Sequence, residues 1–188
     1  MPPQGHELDL FFSVEERRNV LERLRNVGKP FITVQALAGS WTRNKDWPLD
    51  RWEQLVERIR SEHEVEVIQL GAAEEPLVSG TIDWRGTTSL REAALAIGYA
   101  RLHIATNSGT QQFAHAVGTP AVILYGVTHP ICSGYAEQIC LYGGDTPTPC
   151  YHRELCEHRA AMEQIEVDDV VHAVRTLLDR PQAQHVPA

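Results

Sequence analysis

The stretch from residue 104 to residue 126 constrains the fold of this chain more than any other. An apolar run leads into the polar turn Asn107-Ser108-Gly109, and a short alanine-containing segment then ends at Gly118-Thr119-Pro120, before a second apolar run. This order predicts a buried strand, a short helix and another buried strand. Strands alternate with helices along the rest of the chain, which indicates a Rossmann-like α/β fold with a parallel sheet flanked by helices.

The predicted elements organise the chain into one domain. We expect a lead-in over residues 1–12, a single domain over residues 13–180 and a flexible tail over residues 181–188. Predicted strands lie at 31–34, 65–70, 81–84, 102–105, 121–126 and 139–142. Predicted helices follow Ser13, Pro48 and Ser89, occupy the middle of residues 104–126, and cover residues 167–178.

Composition excludes several functional classes. The formal net charge of -8 disfavours nonspecific binding to nucleic acid, since such binding depends on neutralising phosphates. No apolar run approaches the length that spans a bilayer, and the amino terminus lacks the features of a secretory signal. We therefore expect no nucleic-acid partner, no membrane span and a cytoplasmic location.

The cysteine pattern disfavours a metal site, and the glycine pattern gives no support for a nicotinamide or flavin cofactor, so we expect neither. Cys132, Cys140, Cys150 and Cys156 lack the paired C-x2-C spacing of common zinc sites. This spacing favours reduced thiols and leaves metal binding open. The G-x-G-x-x-G pattern of nicotinamide and flavin enzymes is absent.

Three loops that follow predicted strands carry groups suited to a nucleotide diphosphate. Lys45 is one of only two lysines, Glu75 follows the strand at 65–70, and Asn107 begins the polar turn. Loops after parallel strands share one edge of the sheet, so these residues are expected to converge. The lysine and the amino terminus of the following helix would bind phosphate, and the carboxylate would accept ribose hydroxyl protons.

Five motifs in a fixed order resemble the bacterial ADP-heptose:lipopolysaccharide heptosyltransferases of glycosyltransferase family 9. They are Lys45-Asp46-Trp47-Pro48, Leu70-Gly71 with Glu75, Thr88-Ser89-Leu90, Asn107-Ser108-Gly109, and residues 117–120 with 125–130. The resemblance covers roughly residues 30–180. It implies that the chain is equivalent to the carboxyl-terminal, donor-binding half of a two-domain GT-B fold.

The resemblance also implies a site for a nucleotide-diphosphate sugar, most naturally ADP-heptose. Lys45 would contact the phosphates, Glu75 or alternatively Glu74 the ribose, and Thr88 the adenine pocket, while Ser40 and Trp41 would flank the phosphates. The diphosphate-sugar would be held by Asn107, Ser108, Gly109 and Thr110.

Two positions depart from the family pattern. Asn107 stands where the family usually has aspartate, and Gln112 where it usually has histidine. Both side chains can still form hydrogen bonds in a donor site. His129, in a loop near the donor sugar in the family, completes the implied site.

Other prominent residues have structural interpretations. We expect Ser108 to cap its helix, His115 to pack in the core, and Trp47 to pack beside Pro48 and Trp52.

Two functions stay open at this point. In the family, an amino-terminal half binds the acceptor and contributes the presumed general base, so no catalytic residue is assigned here. A separate chain or a homo-oligomer would complete an inverting transfer to a lipopolysaccharide-type acceptor. The alternative is a non-catalytic module for nucleotide-sugar binding or assembly. A response-regulator-like or oxidoreductase domain is disfavoured by the absence of the corresponding motifs.

Overall fold

Six parallel strands form the centre of the computed structural model, which describes residues 8–39, 42–144, 154 and 160–179. The sheet has the order β3-β2-β1-β4-β5-β6, and every neighbouring pair is parallel. The strands are β1 (Phe31–Gln35), β2 (Glu66–Gln69), β3 (Ile82–Asp83), β4 (His103–Thr106), β5 (Ala121–Tyr125) and β6 (Ile139–Tyr142). The predicted fold class is confirmed.

Helices cover both faces of this sheet. They are α1 (Val14–Arg25), α2 (Leu49–Glu62), α3 (Leu90–Tyr99), α4 (Gly109–Ala116), α5 (Pro130–Ser133), α6 (Ala160–Glu163) and α7 (Val167–Leu178), with a 3-10 turn at Arg43–Lys45. On one face, α2, α6 and α7 share a core cluster with the alternate strand residues Ile32 and Val34. On the other face, α1, α3 and α4 pack against Phe31 and its neighbours.

The predicted helix boundaries have clear local causes. Ser13 and Ser89 each close a capping box with the glutamate three residues later, which satisfies backbone N–H groups at the start of α1 and α3. Gly118 adopts a φ of 68° just after α4, a backbone conformation that favours glycine. Residues 104–126 therefore form β4, α4 and β5, as their pattern predicts.

The strand order creates a crevice between β1 and β4. The chain leaves β1 toward β2 on one side, whereas it leaves β4 toward β5 on the other. Loops that diverge in this way open a gap at the carboxyl ends of the two strands, which is where ligands bind in open α/β sheets. The described residues 36–39 and 42–48 and the turn at Asn107 border the gap.

The pattern did not predict the 3-10 turn, α5 or α6, since segments of three or four residues show no periodicity. Ser40, Trp41, Cys150, Cys156 and the predicted tail lie outside the described residues. Within the described ranges, no helix combines the length and the hydrophobicity needed to cross a bilayer.

Candidate functional site

Lys45 and Asn107 meet at the crevice between β1 and β4. The Lys45 ammonium donates hydrogen bonds to the side-chain oxygen of Asn107 at 3.0 Å and to its carbonyl oxygen at 3.3 Å. Lys45 is half-buried, and this burial lowers the pKa of its ammonium. The structure thus brings together the two loops that the shared sheet edge led us to pair.

Hydrogen bonds fix the side chain of Asn107, which is only 8% exposed. The Thr128 hydroxyl donates to Asn107 Oδ1 at 2.7 Å. Asn107 Nδ2 donates to Gln111 Oε1 at 2.7 Å and to Ser133 Oγ at 3.2 Å. Because the nitrogen serves two acceptors, this arrangement suits an amide better than the aspartate that is usual in the family.

Gln111 extends this network into the core. Its amide nitrogen lies 2.6 Å from the Tyr125 hydroxyl and 3.1 Å from Gln138 Oε1. Burial raises the pKa of Tyr125 to about 12, so its hydroxyl remains protonated. These contacts connect α4 to β5 and to the segment that precedes β6.

The amino terminus of α4 has no side-chain cap. Ser108 occupies the N-cap position, but its hydroxyl donates to Gln35 Oε1 at 3.0 Å instead of capping the helix. The prediction of a capping serine is therefore wrong, because Gln35 offers the hydroxyl a different acceptor. A Cβ added at Gly109 would meet nothing within 4 Å, so open space borders the first turn. An uncapped helix amino terminus favours a bound anion.

A buried chain of hydrogen bonds lies beneath this turn. The Thr110 hydroxyl lies 2.5 Å from Gln35 Oε1 and 3.0 Å from His103 Nε2. His103 Nδ1 lies 2.9 Å from the Thr33 hydroxyl. Burial lowers the pKa of His103 to about 3, so the ring is neutral. Sequence reasoning missed Gln35 and His103 as site residues, although a histidine between two apolar strand residues was the available signal.

Glu75 lies in the loop after β2 and turns into that loop. One carboxylate oxygen accepts a hydrogen bond from the Ala72 backbone at 3.0 Å, and the other is buried without a partner among the described residues. Burial raises the pKa of this carboxyl, and the nearby Asp46 raises it further. Thr88, half-buried, directly precedes the N-cap of α3 at the same edge of the sheet.

Gln112 accepts a hydrogen bond from the Tyr135 hydroxyl on the outer side of α4. The Tyr135 ring stacks on His115 with centroids 3.5 Å apart, and His115 Nδ1 bonds to Glu137. The His115 side chain is 23% exposed, so its predicted place in the core is wrong. His115 lies three residues after Gln112 in α4, so both side chains share the helix face that meets Tyr135.

His129 is the N-cap residue of α5. Its Nδ1 accepts a hydrogen bond from the Ile131 backbone at 3.1 Å, and its ring meets Tyr142 edge to face. These contacts hold the loop after β5 at the same edge of the sheet as Asn107.

No three histidine, cysteine or acidic side chains come together as a possible metal site in the part of the chain that the structure describes. Cys132 is an exposed free thiol and Cys140 a half-buried one. Burial raises the pKa of the Cys140 thiol.

Two open grooves lie away from Lys45. One groove of about 440 Å³ runs between β6 and α7, and another of about 670 Å³ lies beside α2. Neither is lined by Lys45 or Asn107. The arrangement of donor groups marks the crevice between β1 and β4 as a candidate site.

Comparison with known proteins identifies the relatives of this fold. A family model for glycosyltransferase family 9 (heptosyltransferase) matches residues 3–161. No curated protein sequence matched the chain.

Solved structures share the architecture of the sheet and its helices. E. coli ADP-heptose lps heptosyltransferase II is 18% identical, with 90% of this chain and 53% of that chain covered and a TM-score of 0.72. The glycosyl transferase family 9 structure from Veillonella parvula DSM 2008 is 19% identical, with 93% and 55% covered and a TM-score of 0.73. E. coli heptosyltransferase WaaC with ADP is 14% identical, with 86% and 48% covered and a TM-score of 0.62. The chain spans about half the length of these proteins.

Proposed function

Because the chain belongs to glycosyltransferase family 9 (heptosyltransferase), we propose that it binds a nucleotide-diphosphate sugar, ADP-heptose, in the crevice between β1 and β4. The observation that carries this proposal is the 3.0 Å contact between the Lys45 ammonium and Asn107 Oδ1. It places a cation beside the uncapped amino terminus of α4, and both groups attract the same negatively charged ligand.

The local charge at the crevice, and not the net charge of the chain, supports a diphosphate as the ligand. The formal net charge is -8, but the Lys45 ammonium and the uncapped amino terminus of α4 place positive charge at this one point. A bound phosphate would favour the charged ammonium, which burial now disfavours. Among the structural neighbours, E. coli WaaC was solved with ADP.

Glu75 supplies a second part of the proposed site. Its unpartnered buried oxygen is an acceptor that a ribose hydroxyl would satisfy, and burial is the main cause of its raised pKa. The proposed donor site also includes these residues: Thr88, Asn107, Ser108, Gly109, Thr110, Gln112 and His129, with Ser40 and Trp41 outside the described residues.

The proposed reaction is transfer of the sugar, with inversion, to a lipopolysaccharide-type acceptor in the cytoplasm. The reaction also requires an acceptor-binding half, because the chain spans about half the length of its structural relatives. Donor binding without transfer, in the presence of that half, would assign the non-catalytic role instead.

Calorimetric titration tests the donor site. We expect the wild-type chain to bind ADP and ADP-heptose more tightly than UDP or GDP. Lys45→Ala should weaken ADP binding by about 1–3 kcal/mol, the range for losing a charged hydrogen bond. Lys29→Ala is the matched control, because Lys29 is exposed and precedes β1 at the opposite edge of the sheet. Equal ADP affinity in the two variants would remove Lys45 from the site.

A further inference from the structure

Gln35 occupies a position at the crevice to which the proposed function gives no role. It is the last residue of β1 and pairs with Ala105 of β4, two residues before Asn107. Its side-chain oxygen contacts the Ser108 hydroxyl at 3.0 Å and the Thr110 hydroxyl at 2.5 Å. Gln35 is half-buried and lies at the carboxyl end of β1, the edge of the sheet where the crevice opens.

The geometry distinguishes the oxygen of this amide from its nitrogen. The 2.5 Å separation from the Thr110 hydroxyl fits an O–H···O bond and is shorter than N–H···O bonds usually are. The Thr110 hydroxyl therefore donates to Gln35. It then has no second hydrogen for His103, and His103 Nε2, at 3.0 Å, must be the donor to Thr110.

The hydrogen bond at the other end of this series, between His103 and Thr33, agrees with this direction. A neutral His103 that carries its hydrogen on Nε2 has an acceptor at Nδ1, and the Thr33 hydroxyl lies 2.9 Å from that atom. Every hydrogen in the series is directed toward Gln35 Oε1. The series starts in the core at Thr33 and ends at the mouth of the crevice.

The amide nitrogen of Gln35 is left with both of its hydrogens. It makes no hydrogen bond within the part of the chain that the structure describes, and it is not among the buried polar atoms there. Lys45 donates to Asn107, the residue that directly precedes Ser108. Three kinds of donor thus surround one turn: an ammonium, the first backbone N–H groups of α4 and a side-chain amide.

We propose that Gln35 binds the diphosphate of the donor through its amide nitrogen, and that Ser108 and Thr110 are positioning residues that hold Gln35 in this orientation. The inference rests on the proposed function and adds a residue to it. It also changes the expected role of two hydroxyls, since each gives its hydrogen to Gln35 and not to the ligand.

Gln35→Glu distinguishes the role of the amide nitrogen from that of the amide oxygen, because the oxygen acceptor is kept and the nitrogen donor is lost. The carboxylate still accepts from Ser108 and Thr110, so the melting temperature should stay at or above that of the wild type. The donor hydrogens are lost, and calorimetry should show at least about a tenfold loss of ADP affinity, as expected for a hydrogen bond to a charged group. Adenosine, which lacks phosphate, should bind both proteins equally. A purely structural Gln35 would leave ADP affinity unchanged in this variant.

The new negative charge needs its own control. Gln35→Met removes the donors without adding charge and should also weaken ADP binding, by several-fold or more. In about 1 M NaCl the Debye length falls to about 3 Å. A difference in ADP affinity between Gln35→Glu and wild type that came from a distant charge would then disappear, whereas a difference caused by direct contact would persist. Wild-type ADP affinity in Gln35→Met, or disappearance of the difference in salt, would overturn the inference. Failure of the wild type to bind ADP, UDP or GDP would instead overturn the proposed function.

Discussion

The indole nitrogen of Trp47 donates a hydrogen bond of 2.9 Å to the carbonyl oxygen of Ile165. The Arg51 guanidinium lies 2.5 Å from the same oxygen, and the Trp47 ring meets Trp52 edge to face with centroids 5.2 Å apart. Trp47 is 2% exposed, which confirms its expected packing role. The loop that carries Lys45 is therefore anchored to the connection between α6 and α7.

Trp47→Phe should destabilise the protein because the anchor to Ile165 is lost. Trp52→Phe is the matched control, since the Trp52 indole nitrogen is buried without a partner among the described residues. The free energy of unfolding, measured in urea, should fall by about 1 kcal/mol more in Trp47→Phe than in the control. Equal losses would mean that the bond to Ile165 adds nothing to the packing of the ring.

Asn107→Asp should destabilise the fold at neutral pH. An ionised carboxylate cannot donate to Gln111 Oε1, so this hydrogen bond is replaced by a contact between two acceptors, whereas the Ser133 hydroxyl can turn to donate. We expect a loss of about 2 kcal/mol in the free energy of unfolding, which shrinks at acidic pH as the carboxyl gains a proton that it can donate. Asn19→Asp, at an exposed position in α1, is the control. A loss that does not change between pH 7 and pH 4 would contradict this explanation.

The buried His103 should make the fold sensitive to acid. Its pKa is lowered from an ordinary value of 6.5 to about 3. Between these values the unfolded chain binds a proton that the folded chain does not. The free energy of unfolding therefore decreases as the pH is lowered, by up to about 1.4 kcal/mol per pH unit. Above this window both states are neutral at this residue, and it adds no pH dependence.

His103→Gln removes the pH dependence that His103 gives to the free energy of unfolding. The loss of stability of this variant relative to wild type at pH 7 should therefore shrink as the pH is lowered toward 4. Urea denaturation across this range measures the difference from wild type. The exposed His172→Gln variant controls for the loss of a histidine. A deficit that stays constant with pH would mean that the folded protein protonates His103 readily.

Two glycines should respond in opposite ways to substitution by alanine. A Cβ at Gly143 would overlap the carbonyl oxygen of Ala161, whereas one at Gly109 would enter open space. Gly143→Ala should cost about 1–3 kcal/mol, as overpacking does. Gly109→Ala should leave stability unchanged or raise it by up to about 1 kcal/mol, because alanine favours the helix. Thermal unfolding of the two variants checks the contrast.

The backbone of the site could be predicted because apolar runs and turn residues leave few alternatives. Residues 104–126 alone suffice to predict β4, α4 and β5. The meeting of Lys45 and Asn107 follows from the rule that parallel strands share one edge, and needs no side-chain detail.

The side-chain partners could not be predicted, since they depend on register and on tertiary packing. Gln35 reaches Ser108 only because β1 lies beside β4 with Gln35 opposite Ala105. Glu75 was expected to face the crevice, and the pattern around it gives no sign that it bonds back to Ala72.

The two sides of the crevice belong to opposite layers of the molecule. The segment with Lys45 leads into α2, which packs with α7 on one face of the sheet, whereas α4 packs with α3 on the other face. An anion bound by both Lys45 and the first turn of α4 would connect the two helical layers across the edge of the sheet. Binding of this anion would then raise the free energy of global unfolding, and its effect would not be limited to the motion of the neighbouring loops.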